Sequence, residues 1–172
     1  MSTERKTREI EASVDQLVAA LDIAGVDKRT TLVLGGSALA FAGIRPAHDL
    51  DIMVTGQAFS EMEKTSKTPG GLIVRRKPEA KQRPFLDIYP SAGKPFILPT
   101  DITFPHNENF LPTPELDQVF VETIRDFDTV ANYHYLPPRM VLEHKQGMDR
   151  LRHKDRRDVR LIGAFLSRQH HR

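Results

Sequence analysis

Residues 31–54 read Thr31-Leu-Val-Leu34-Gly35-Gly36-Ser37-Ala-Leu-Ala-Phe41-Ala-Gly43-Ile-Arg45-Pro-Ala-His48-Asp49-Leu-Asp51-Ile-Met-Val54. Four β-prone residues, Thr31 to Leu34, run into two glycines and a serine, and then into the helix-forming Ala38-Leu-Ala-Phe41-Ala. The order is strand, tight turn, short helix. Gly43 closes the helix, Ile44 to His48 form a connection, and Asp49 to Val54 begins with the polar-apolar alternation of a strand. Side chains two apart on a strand share a face, so Asp49 and Asp51 project together, roughly 6.5 to 7 Å apart, while Leu50 and Ile52 enter the core.

Working outward, Ile10, Val14, Leu17, Val18 and Leu21 fall at helical spacing and predict an amphipathic opening helix over Thr7–Ile23. A second helix is expected from Gln57 to Lys64. After the Pro69-Gly70-Gly71 turn come two strands, Leu72 to Arg76 and Phe85 to Tyr89, giving βαβαββ after the opening helix. Pro90 to Pro114 holds six of the twelve prolines, so it reads as irregular, with only edge strands such as Ile102 to Phe104. Val119 to Ile124 and Thr129 to Tyr135 are expected to pair as a hairpin across residues 125–128. Pro137-Pro138 opens a helix reaching about Met148, and a last helix runs from about Leu151 to Arg168.

At 172 residues, 39% apolar and 28% charged, the chain has the composition of one ordinary globular domain. No window approaches the roughly 18 consecutive apolar residues of a membrane span. The N-terminus does not read as a secretory signal and there are no cysteines, so a cytoplasmic protein without disulfides or thiolate metal sites is expected. The formal charge of +2 says little about partners, but its distribution says more. From Arg139 to Arg172 there are ten Lys or Arg against four Asp or Glu, a stretch suited to phosphates. The seven histidines lack metal-binding spacing on one helix face, and His48 beside Asp49 reads equally as a nucleotide contact or a loop residue.

The layout of an apolar residue, Gly-Gly-Ser, a helix, then Arg45 and Asp-x-Asp on a strand resembles the signature of nucleotidyltransferases of the DNA polymerase β superfamily. Attack on the α-phosphorus of a nucleoside triphosphate builds negative charge on the attacking, leaving and equatorial oxygens. Two metals about 3.5 to 4 Å apart can clamp both ends of such a displacement. Asp49 and Asp51 suit Mg²⁺, with Mn²⁺ as a substitute. A third acid is usual in the family on a neighbouring strand, and Asp87, within Phe85-Leu-Asp-Ile-Tyr89, fits it as metal ligand or general base; Asp101 is its rival. Gly35 and Gly36 let a triphosphate approach the backbone, with free N–H groups at the start of the following helix. Ser37 is placed to donate to a phosphate, and Arg45 adds a positive charge. Each feature also has a plain reading: a serine-capped turn, a solvated acid, a surface cation.

The run from Pro138 through Lys145, Arg150, Lys154, Asp155 and Asp158 further resembles the K…R…K-D-x-x-D segment of AbiEii-type toxin nucleotidyltransferases. The resemblance spans most of residues 31–162. It implies an α+β polymerase-β-type fold, a mixed sheet flanked by helices, with a core over 1–136 and C-terminal helices over 137–172 packed on it as a single compact unit. It implies that Lys145 faces the nucleotide phosphates and that Lys154 and Asp155 form a pair beside the site; the plain alternative is an i,i+4 pair between Lys154 and Asp158 on a solvated helix face. The function the resemblance implies is transfer of a nucleoside monophosphate from a nucleoside triphosphate to an acceptor hydroxyl, such as one on tRNA or other RNA, and the toxin-type members it resembles suggest a toxin role with a cognate antitoxin protein as partner. A small hydroxylated acceptor of the aminoglycoside kind, or an inert binding module on the same fold, are the alternatives.

Overall fold

The computed structural model describes residues 11–78, 84–89 and 98–172. Among them it holds an α+β arrangement, a seven-stranded mixed sheet flanked by six helices. The helices are α1 (Val14–Ala24), α2 (Gly35–Phe41), α3 (Gly56–Thr65), α4 (Pro114–Ile124), α5 (Pro138–Gln146) and α6 (His153–Gln169). The strands are β1 (Thr31–Leu34), β2 (Leu50–Val54), β3 (Val74–Arg76), β4 (Leu86–Ile88), β5 (Thr100–Thr103), β6 (Thr129–Val130) and β7 (Tyr133–Tyr135). In the sheet they stand in the order β3-β4-β5-β2-β1-β7-β6. β5 runs parallel to β2 and β7 parallel to β1; the other neighbours are antiparallel.

Strand alternation gives the sheet two unlike faces. Val33, Ile52, Ile102 and Leu86 are partners across four strands, and all four are buried in the main core with Leu17 and Leu21 of α1 and Phe59 and Met62 of α3. Burying such side chains contributes about 1.5–3 kcal/mol each. The opposite face carries Leu34, Asp51, Asp101 and Asp87, and is covered only in part. There Phe120 and Ile124 of α4 pack on Leu32 with Leu34 and Met53. A third cluster, Ala38, Leu39, Val141 and Ile162, binds α2 to α5 and α6.

Several boundaries differ from those expected. The opening helix begins at Val14, because Ser13 caps it and its hydroxyl accepts from the Gln16 amide, while Ala12 is drawn into a two-residue bridge with Ala47. Ile10 lies outside the described residues. Gly35 to Ser37 form the first turn of α2 itself, and Asp49 stands just ahead of β2. β5 is an interior strand, not an edge: Pro99 and Pro105 bracket it, Pro99 needing only its carbonyl to accept from the Leu50 amide, and Ile102 is fully buried.

The hairpin across residues 125–128 does not form. Val119 to Ile124 belong to α4, whose start is fixed by the Thr113 hydroxyl accepting from the Leu116 amide and by Pro114 at the first helical position. The β-branched residues of that stretch suggest a strand, but Phe120 and Ile124, four apart, with Val121 between them, pack one helix face on Leu32 of the sheet. The real hairpin joins β6 to β7 around Ala131 and Asn132, which both have positive φ (50° and 68°), the backbone of a two-residue primed turn.

Asp117, in the first turn of α4, accepts from the amides of Gly56 (2.6 Å) and Gln57 (3.0 Å), and so caps α3 from another helix. Asp117→Ala is expected to cost about 1–2 kcal/mol, the scale of a lost cap. A urea melt should show a lower midpoint with an unchanged m-value.

Candidate active site

A cavity of about 270 Å³ lies between the start of α2, the beginning of β2 and the C-terminal helices. One wall is Gly35, Gly36, Asp49 and Asp51, and the other carries Lys145, Arg152, Lys154 and Arg157. Gly35 has φ of +53°, and a Cβ there would sit 2.9 Å from Asp51 Oδ2. A Cβ at Gly36 would meet Arg45 Nη2 at 2.9 Å. Both glycines therefore make room for named charged groups. Gly35→Ala is expected to lower stability by about 1–2 kcal/mol, the cost of a left-handed alanine, and to push Asp51 from its place. Thermal melting checks the loss of stability.

Ser37 holds that wall together. Its buried hydroxyl donates to the Asp49 carbonyl (2.8 Å) and accepts from the Asp51 amide (3.0 Å), pinning the helix start to the strand that carries the acids. Its proton is directed at the scaffold, to the Asp49 carbonyl.

Register sets the carboxylates in a row. Asp51 is the partner of Asp101, and Asp101 the partner of Asp87, on three adjacent strands. Asp101 is thus next to Asp51, and Asp87 stands one strand further. Lys77 closes the row, with Nζ 2.9 Å from Asp101 Oδ1 and 3.8 Å from Asp87 Oδ1. Burial, then the charges of Asp49 and Asp101, push the Asp51 carboxyl up to about 7, against the pull of Lys154 and Lys77. Among the described residues no group of three or more acids and histidines is gathered tightly enough to hold a metal ion.

The cationic wall is ordered by a chain of ion pairs. Arg45 grips Asp158 with two bonds, Nε to Oδ1 at 2.6 Å and Nη2 to Oδ2 at 2.8 Å, and donates from Nη1 to the Pro46 carbonyl. Lys145 Nζ lies 3.2 Å from Asp158 Oδ2 and 2.7 Å from Asp155 Oδ1, and Arg152 Nε bonds Asp155 Oδ2 at 2.8 Å. Asp155 and Asp158 are buried. Burial works to raise both carboxyls, but the bonds from Arg152 and Lys145 to Asp155, and from Arg45 and Lys145 to Asp158, hold both below the usual carboxylate range. The expected surface pair between Lys154 and Asp158 is absent, because Asp158 points inward to Arg45 and Lys145.

The site thus gathers Gly35, Gly36, Arg45, Asp49, Asp51, Lys145, Lys154 and Asp155 around one cavity, and leaves Asp87 outside its lining. Arg152, Arg157 and His144 also line it and were not singled out in the sequence. Arg152 had one legible signal, its place at the cap of α6 three residues before Asp155.

No family model matches the chain, and comparisons with curated proteins and with solved structures find no match. The fold defines an α+β protein, and its site an acid row facing a cationic wall.

Proposed function

We propose that the chain is a divalent-cation-dependent nucleotidyltransferase with a polymerase-β-type fold, moving a nucleoside monophosphate from a triphosphate to an acceptor hydroxyl. The observation that carries this reading is the crowding at Asp51. A half-buried carboxylate set against Gly35, beside Asp49 and Asp101, and facing Lys154 and Arg152 across a cavity is arranged for a cation on one side and an anion on the other. Resemblance of the glycine turn and Asp-x-Asp to the family signature agrees with it.

The donor set fits Mg²⁺. Hard carboxylate oxygens suit that ion, which commonly keeps several waters and uses one or two protein carboxylates together with phosphate oxygens, so Asp49 and Asp51 suffice without a closed protein cage. The ion, when bound, would neutralise charge developing on the phosphoryl oxygens. Gly35 and Gly36 admit the triphosphate to the backbone, and Lys154 and Arg152 meet its anionic oxygens. Arg45, held by Asp158, shapes the cavity. The acceptor oxygen forms a bond to the α-phosphorus, the bond to the bridging oxygen breaks, and pyrophosphate leaves. Asp101, adjacent to Asp51, is the carboxylate placed to take the acceptor proton, with Asp87 one strand behind.

Incubation with labelled nucleoside triphosphates, Mg²⁺ and total RNA tests the reading. Wild type should transfer label and Asp51→Ala should not. Equal labelling by the two would leave an inert binding module as the better account.

A further inference from the structure

Helix α6 is charged unevenly around its axis. Its acids, Asp155 and Asp158, are buried and bonded to Lys145, Arg152 and Arg45, so its outward side keeps cations alone. At about 100° per residue, His153, Arg156, Arg157 and Arg160 share that side, and all of them are exposed. Among the described residues no ion pair engages Arg156, Arg157 or Arg160.

Helix α4 is the counterpart with the opposite sign. Phe120 and Ile124 turn toward the sheet, which aims Glu115, Gln118 and Glu122 at solvent, with Asp126 following one turn on. Val119 lies beside these acids and is 61% exposed, and Leu111, just ahead of the helix, is 57% exposed. Among the described residues these are the most open of the large apolar side chains. Glu115 and Glu122 stand two turns apart, about 10 Å along the axis. Arginines spaced like Arg156 and Arg160 can reach acids on both sides of Val119 while their methylene stems cover it.

The two helices also stand where one contact can be made twice. Leu136 packs against the α4 cluster and against the cluster that joins α2 to α5 and α6, so α4 and α6 flank the same strand end. A twofold axis between two copies can then set α4 of each against α6 of the other, which closes the assembly at two chains.

We propose that α4 and α6 are the two halves of a self-association surface, the acid stripe of one copy docking on the arginine face of a second copy and reciprocally. A polyanion laid on α6 would meet the arginines but leave Val119, Leu111 and the acids of α4 in water. A second copy answers all of them, because the chain carries both signs. Exposed ion pairs are weak singly and are screened by salt, so the dimer forms at high protein concentration and low ionic strength. Arg157 also lines the candidate site, so the second copy borders the mouth of that cavity.

Sedimentation velocity of the full chain tests this. In about 50 mM salt the mass should approach twice the 19.5 kDa of one chain, and in about 1 M salt, where the screening length is about 3 Å, it should return to one. Two charge-reversed variants are then made, Glu115→Arg with Glu122→Arg, and Arg156→Glu with Arg160→Glu. None of these positions lines the cavity of the candidate site. Each variant alone should sediment as one chain at low salt. An equal mixture of the two should regain the two-chain mass, since the arginines on α4 of the first then face the glutamates on α6 of the second, and the other contact keeps its native pair. This rescue separates lost docking from lost folding. A one-chain mass for wild type at low salt, a two-chain mass for either variant alone, or a mixture that stays at one chain overturns the proposal. Wild type that stays at one chain while Arg156→Glu with Arg160→Glu weakens binding of an oligonucleotide overturns it in favour of a polyanion surface on α6.

Discussion

Replacing Asp158 by alanine will destabilise the protein by about 3–5 kcal/mol, the cost of removing one partner from a buried ion pair. The side chain is 3% exposed and answers both Arg45 and Lys145. Truncation leaves the Arg45 guanidinium with only the Pro46 carbonyl and Lys145 with only Asp155, both in a poorly solvated setting. For a chain of this length the melting temperature should fall on the order of 10 °C. The contribution also has a sign in pH. Because Asp155 and Asp158 are held below the ordinary carboxylate range, their stabilisation is complete above pH about 4 and is lost as the pH falls through their depressed values. Wild type and Asp158→Ala should therefore converge in stability on acidification, which melts between pH 7 and pH 2 will show. A constant gap across that range would remove the ion-pair explanation.

Asp51→Asn should move activity and stability in opposite directions. Transfer is expected to drop about 10³-fold or more, the scale of losing a group that manages transition-state charge, read as labelled product per unit time. Stability, by contrast, should rise at pH 8 without divalent cations. Burial and the charges of Asp49 and Asp101 push the Asp51 carboxyl from its ordinary 3.8 up to about 7, so the folded state favours the protonated form. Ionisation then costs nothing below the unfolded value, grows between the two values and is complete above about 7. The asparagine variant should gain up to about 4 kcal/mol over wild type at pH 8 and nothing below pH 4. Adding Mg²⁺ should stabilise wild type and narrow the gap. A variant no more stable than wild type at pH 8 would show that Asp51 is not crowded as the geometry requires.

How much of this was legible depended on whether the signal was local. Strand β1, helix α2 and the acids of β2 follow from residues adjacent in the chain, and α5 and α6 from proline and apolar spacing. The shift of Val119 to Ile124 from strand to helix shows the limit of side-chain type, since the deciding cap is Thr113 with Pro114, upstream of the β-branched run. β5 was obscured because prolines counted over a window do not reveal that they flank a strand instead of interrupting it. In the site, Asp51 could be read from its spacing to Asp49, but the ranking of Asp101 and Asp87 depends on register across three strands, which no single segment encodes. The grip of Arg45 on Asp158 joins residues 113 apart and left no trace in either neighbourhood.

That clasp has a consequence during synthesis. The glycine turn and its acids are made first, and the residues answering them arrive more than a hundred peptide bonds later. A nascent chain emerging only as far as β7 carries Asp49, Asp51 and an Arg45 without Asp158, with Ala38 and Leu39 still lacking the cover of Val141 and Ile162. Ribosome-bound intermediates halted before α6 should therefore be electrically incomplete and adhesive, and the Arg45–Asp158 clasp should close only once α6 has emerged.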